Sequence, residues 1–241
     1  NGKKYKTKSD ADGKWALKVT TGEAGGPYEI EFSDGDKMSL TGILLGEVWV
    51  CGGQSNMEMP IKGFVAQPVQ GAAEAIRDSY AHPDIRIFNV ERNKTTTLQE
   101  DCKGVWQKPT PQNVANCSAT AYFFGRMLTD LLGMPVGIVT SYWGGTKAEV
   151  WMTREAINAT EGIDREFALK PDGNGWGPQE MYNGMIHPIT RFTAKGFIWY
   201  QGCSNRDRAF DYGKLLVSLI KDWRKAWGND EMPFLIAQLV Q

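Results

Sequence analysis

The chain has 241 residues, 27 Lys+Arg against 28 Asp+Glu, a formal net charge of −1 and 41% hydrophobic residues. So even a charge balance gives no electrostatic case for a nucleic acid or an anionic membrane as partner, and no stretch approaches the ~20 apolar residues of a membrane helix. The length suits one full domain plus part of another. Residues 1–45 read as β. Asp12-Gly13 is a hairpin signal, Trp15, Leu17 and Val19 alternate, and Tyr28, Ile30 and Phe32 alternate again before the turn Ser33-Asp34-Gly35-Asp36. Asp10-x-Asp12-Gly13 lacks the later ligands of a calcium loop and reads as a turn. Two or three short strands are too few for an independent sandwich, so this segment is expected to be part of a β module. Asn1 is not preceded by a signal region, so the chain is expected to be processed or internal to a longer protein.

From residue 46 the pattern becomes βα alternation, which implies a parallel sheet flanked by helices. Strands are expected at Glu47–Cys51, Ile85–Val90, Val136–Ser141, Phe197–Gln201 and Phe234–Val240. Ser118 is a good N-cap for a helix carrying Phe124, Met127, Leu128 and Leu131, which Gly133 and Pro135 end. A second helix places Leu216, Leu219, Ile220, Trp223 and Trp227 on one face and stops at Gly228. Residues 91–117 and 161–180 form long polar connections, and loops of that length are commonly functional. Four cysteines, Cys51, Cys102, Cys117 and Cys203, show no CxxC or CxxH spacing, so no metal site is expected. Cys102 and Cys117 flank a proline-rich loop and are candidates for a disulfide; Cys51 and Cys203 each end a predicted strand and are expected near one another as free thiols.

The segment Gly46-Glu47-Val48-Trp49-Val50-Cys51-Gly52-Gly53-Gln54-Ser55-Asn56-Met57 carries the most chemistry. An apolar run breaks at two glycines, so Ser55 is expected in a tight turn at the carboxyl end of a strand, where open α/β sheets bind ligands. The same pattern also describes an ordinary Gly-Gly turn with a surface serine. Two further strand candidates end in glycine and polar residues: Tyr142-Trp143-Gly144-Gly145-Thr146 and Gln201-Gly202-Cys203-Ser204-Asn205. Three such ends can converge on one site.

The GQSNM, GGT and WYQG-x-SN segments, in this order, resemble the SGNH-hydrolase superfamily and, within it, the sialate O-acetylesterase family of carbohydrate esterases. The resemblance implies a three-layer α/β/α domain over residues 46–241, preceded by part of a β-sandwich module over residues 1–45. It also implies a serine carboxylic-ester hydrolase working without cofactor on an acetylated sugar or glycan, through an acyl-serine intermediate. An acetylxylan or other polysaccharide deacetylase shares these motifs, and a non-catalytic carbohydrate-binding relative is the rival from another class. Secretion or periplasmic placement is the expectation that goes with such a substrate. Oligomeric state is left open.

By its match to the family's motif, Ser55 is the nucleophile. The oxyanion is expected to meet the backbone amides of Ser55 and Gly145 and the side-chain amide of Gln201. For Gly145 the plain alternative is a tight turn, and for Gln201 a buried amide that ties loops together. The family's general base comes from an Asp-x-x-His segment expected beyond Gln241, so this chain alone is expected to be impaired. Of the two histidines present, His82 precedes a strand on the edge away from Ser55, and His187 reads as a satisfied structural residue. Cys203 stands where relatives carry a glutamate. Trp143, Trp151, Trp176, Tyr182 and Asn183 are candidates for a sugar-facing rim. Arg206 and Arg208 are available for a carboxylate, with solvated surface arginines as the plainer reading.

Overall fold

The computed structural model describes residues 2–239, and the chain divides into two compact units, Asn1–Gly46 and Glu47–Gln241. The first unit holds an antiparallel hairpin of β1 (Gly25–Ser33) and β2 (Lys37–Leu45). The turn between them is the predicted Ser33–Asp36 segment. Asp10 closes its own loop, its Oδ1 accepting from the amides of Asp12 and Lys14 at 3.0 and 2.9 Å. The alternation at Trp15, Leu17 and Val19 does not become a strand. Two backbone hydrogen bonds, Asp10 N to Lys14 O and Gly13 N to Asp10 O, close that turn, and without a ladder beyond them the apolar alternation has nothing to register against. Trp15 instead meets Phe32 with ring centroids 6.1 Å apart.

The second unit runs β3 (Glu47–Gly53), α1 (Ser55–Glu58), α2 (Ala72–Arg77), β4 (Ile85–Asn89), β5 (Trp106–Gln107), α3 (Pro111–Asn116) and α4 (Ala119–Leu132). It continues through β6 (Val136–Tyr142), α5 (Arg154–Ala159), α6 (Arg165–Ala168), β7 (Gly196–Tyr200), α7 (Ala209–Trp227) and β8 (Phe234–Ile236). The strands form one sheet in the order β5-β4-β6-β3-β7-β8. All neighbours are parallel except β4 and β5. The last predicted strand is shorter than expected, and Val240 lies outside the described residues.

Period-two alternation sorts the side chains into two cores. Val50 of β3, Val139 of β6 and Phe197 and Trp199 of β7 pack with Trp151, Met181, Met185 and the α7 residues Leu215, Leu219 and Trp223. Trp49 and Cys51 of β3 face the other way, with Ile85, Ile87 and Ile138, onto Ala75, Val114, Ala121 and Tyr122 of α2, α3 and α4. Three layers, α/β/α, result. Both long helices have the ends the sequence specifies. The Ser118 side chain accepts from Ala121 N at 3.2 Å, and Gly133 and Gly228 adopt left-handed C-caps with φ of 62° and 66°. The fold thus matches the expected three-layer sheet.

Candidate active site

The chain leaves β3 for β4 and β6 on one side of it and then crosses to β7 and β8 on the other, so β3 is the switch strand. Ligands of open α/β sheets bind at the carboxyl ends beside such a strand. Here those ends are level: Gly53 pairs with Tyr142 of β6 and with Tyr200 of β7. Just past that line stand Ser55, the Trp143-Gly144-Gly145 turn and Gln201, so the three motifs meet.

Ser55 is the first residue of α1, and its amide therefore has no partner within the helix. Gln54, before it, is buried and joins β3 to the loop after β7. Its amide donates to Tyr200 O at 3.1 Å. Its Oε1 accepts from the amides of Gly202 and Ser204 at 3.1 and 3.2 Å, and its Nε2 donates to Ser204 Oγ at 3.2 Å. Gly53 fits nothing but glycine, because a Cβ there would lie 2.2 Å from Tyr200 O and φ is +149°.

The second loop is braced from both sides. Trp143 N donates to Gly53 O at 3.1 Å, and Thr146 Oγ1 donates to Trp143 O at 2.7 Å. Gly144 N donates to Glu58 Oε2 at 2.6 Å, and Arg92 Nη2 donates to Glu58 Oε1 at 2.5 Å. The Arg92 guanidinium also lies 4.9 Å over the Trp143 ring. A Cβ on Gly144 would stand 3.6 Å from Ser55 Cβ, which puts this turn directly against the serine. Gly145 follows with φ +80°, and its N–H has no acceptor among the described residues. Trp176 packs on Trp143 at 5.7 Å and flanks Gly145.

Other expected residues are engaged within the protein or lie away from Ser55. Gln201 Nε2 donates both hydrogens inward, to Thr146 O at 3.1 Å and Asn205 Oδ1 at 2.8 Å, so it ties loops together instead of facing an oxyanion. Asn205 in turn donates to Glu149 Oε2 at 2.9 Å. Trp151, 0% exposed, is core, with its Nε1 donating to Thr146 Oγ1 at 2.9 Å. Tyr182 is likewise buried against the α7 side of the sheet. Asn183 pins two long loops, donating to Thr95 O at 3.1 Å and accepting from Gln179 Nε2 at 2.9 Å. Arg208 is held by Asp211 and Glu149 and lies over Phe167, so it is not available to a ligand. Arg206 is exposed and faces its neighbour Asp207 at 3.6 Å. The physical reason is common to these departures: an aromatic or amide near a motif is as well suited to filling space or satisfying buried carbonyls as to touching a ligand.

Neither histidine joins Ser55. His82 lies at the amino end of β4, 3.7 Å from Asp130, and His187 Nδ1 is 2.8 Å from Gln99 O. Tyr142, at the end of β6, has its hydroxyl pushed up to about 12, first by burial and then by the neighbouring Cys117 and Glu58, so it stays protonated and is no base. Among the described residues no group of three or more His, Cys, Asp or Glu side chains is gathered to hold a metal.

All four cysteines are free. Cys102 packs on the α7 side of the sheet and Cys117 on the α4 side, so the expected disulfide between them is not formed. Cys51 neighbours Cys117, not Cys203, which is exposed. Burial pushes the Cys51 thiol far up and the Cys117 thiol up to about 12. A thiol reagent at pH 8 is therefore expected to label Cys203 in the native chain and to reach Cys51 and Cys117 only after denaturant, which peptide mass spectrometry checks.

Glu58, Arg92 and Gln54 were not among the residues expected to shape the site. Glu58 had a signal, since it lies three residues after Ser55 and thus on the same helical face. Arg92 had none, because it comes from a long polar loop that tertiary folding brings here.

Fold and site together define a three-layer α/β/α protein of the SGNH-hydrolase kind. A family model described as carbohydrate esterase, sialic acid-specific acetylesterase matches residues 45–241, and the chain belongs to that family. Among its relatives is the human sialate O-acetylesterase, 32% identical over 249 residues, covering 93% of this chain and 46% of that protein. The mouse sialate O-acetylesterase is 31% identical over 93% of this chain and 48% of its own length. The chain thus spans about half the length of the curated relatives it matches. A solved carbohydrate acetylesterase from Xanthomonas citri superposes with a TM-score of 0.84 at 33% identity, over 95% of this chain and 50% of that one.

Proposed function

We propose that the protein is a carbohydrate O-acetylesterase that removes acetyl groups from sugar hydroxyls through an acetyl-Ser55 intermediate. The observation that carries this is the level ending of β3, β6 and β7, which sets Ser55 against the Gly144-Gly145 turn, with the Ser55 and Gly145 amides unpaired among the described residues. Ser55 Oγ attacks the acetyl carbonyl carbon while its proton passes to a general base. The two amides hold the oxyanion, the bond to the sugar oxygen breaks, and the proton goes to the departing alcohol. Water then hydrolyses the acetyl-enzyme by the same route. In this reading the base is the histidine of the family's Asp-x-x-His segment, outside residues 1–241, with the aspartate orienting it. The substrate is a glycan acetylated outside the cytoplasm, and sialate O-acetylesterases among the relatives favour a sialic acid over a plant polysaccharide.

Acetate release by the full-length protein from 9-O-acetylated sialic acid, acetylated xylan and 4-nitrophenyl acetate tests this. Release from the first above the second supports the reading, the reverse order makes it a polysaccharide deacetylase, and no release from any leaves a binding protein. Trp143 and Trp176 form the sugar-facing rim. Trp143→Ala is accordingly expected to raise KM for the sugar ester about tenfold while leaving 4-nitrophenyl acetate nearly unchanged, since one lost stacking ring is worth roughly 1–1.5 kcal/mol.

A further inference from the structure

We propose that Glu58 is a positioning residue that sets the oxyanion donor of Gly145, and that Arg92 holds Glu58 in place for this purpose; the inference rests on the roles given above to Ser55 and Gly145. Two consecutive glycines make the Gly144-Gly145 turn intrinsically permissive, since neither carries a Cβ to restrict its dihedrals. A donor in such a turn is useful only if something outside the turn fixes it. On one flank Thr146 Oγ1 bonds Trp143 O at 2.7 Å. On the other, Glu58 Oε2 accepts the Gly144 amide at 2.6 Å, a charge-assisted hydrogen bond immediately before the amide that faces the oxyanion.

Glu58 is also tied to the nucleophile. It lies one helical turn after Ser55 in α1, where Met59 N donates to Ser55 O at 2.9 Å. The carboxylate therefore measures the gap between the turn carrying the serine and the turn carrying the donor. The Glu58 side chain is 22% exposed, and Arg92 fastens its second oxygen at 2.5 Å while lying over Trp143, the residue that begins the donor turn. An exposed ion pair by itself contributes little. The bond to Gly144 N distinguishes this pair from a decorative one.

The test uses the full-length protein with Glu58→Met, which keeps volume and removes the acceptor, and Glu58→Gln, which keeps an acceptor oxygen for Gly144. Readouts are kcat, KM, melting temperature and inhibition by a small alkylboronic acid, which forms a tetrahedral adduct on an active serine. Glu58→Met is expected to lower kcat about 10²-fold, the cost of one lost or misplaced oxyanion donor, with KM within a few-fold. Boronic acid affinity should weaken by a similar factor, and Glu58→Gln should recover most of both. If Glu58→Met does not fold, Glu58→Ala takes its place. An unchanged kcat in the variant lacking the acceptor overturns the proposal. So does an equal loss in Glu58→Gln, or a fall in kcat with boronic acid affinity intact. A Ser55→Ala control separates the two readings: if that variant still releases acetate, the assignment of the nucleophile has failed, whereas an inactive Ser55→Ala with an active Glu58→Met removes the positioning role alone.

Discussion

Ser55→Ala in the full-length protein is expected to lower kcat for acetyl release by about 10⁴-fold or more while leaving KM close to its original value. In the proposed mechanism the hydroxyl is the atom that bonds to the acetyl carbon. Its loss should cost the fold almost nothing. The Ser55 side chain makes no hydrogen bond among the described residues, and its Cβ, which alanine retains, is the part that packs near Gly144. Folding stability is therefore expected to change by less than about 0.5 kcal/mol, as for other substitutions that break no packing or hydrogen bond. Steady-state kinetics beside a thermal melt checks both halves. A variant that keeps its melting temperature and its activity would remove Ser55 from the mechanism; one that loses both would make it structural.

Gly53→Ala is expected to do the opposite, damaging stability and activity together. The added methyl would sit 2.2 Å from Tyr200 O and 3.1 Å from Met57 Cβ, at a φ of +149°. That oxygen already accepts the Gln54 amide at 3.1 Å, and the Gly53 carbonyl accepts the Trp143 amide, so the backbone cannot rotate away without breaking both links. Left-handed strain of about 1–3 kcal/mol adds to overpacking of about 1–3 kcal/mol. A loss of roughly 3–5 kcal/mol in denaturant unfolding is the expected sum. Wild-type stability in this variant would mean that the ends of β3 and β7 are far more yielding than their spacing suggests.

Most of the sheet was legible because its strands are β-branched or aromatic runs stopped by glycine, as in Val136–Tyr142 and Gly196–Tyr200. The convergence of three motifs was legible for the same reason: each follows a strand end. What a linear pattern does not carry is which side of a backbone a group faces after the loops fold. Trp151 follows the GGT motif closely and still belongs to the core, because the turn at Ala148–Trp151 directs it under the sheet. Gln201 directly follows Tyr200, the strand partner of Gly53, yet Thr146 O and Asn205 Oδ1 claim its amide. The cysteine pairing failed on the same point, since the sheet itself stands between Cys102 and Cys117. Arg92 reaches Glu58 across 34 positions of chain, a partnership that no local periodicity encodes.

The polar fasteners between strand ends bear on how such proteins can be re-engineered. Gln54 grips the backbone of Gly202 and Ser204, Glu58 grips that of Gly144, and Gly53 bonds to Trp143. A loop grafted alone from a homologue would arrive without its counterpart, leaving a buried amide or carboxylate unanswered. Exchanges of specificity between relatives should therefore succeed when the three segments are transplanted as one cassette, and fail when they are moved singly.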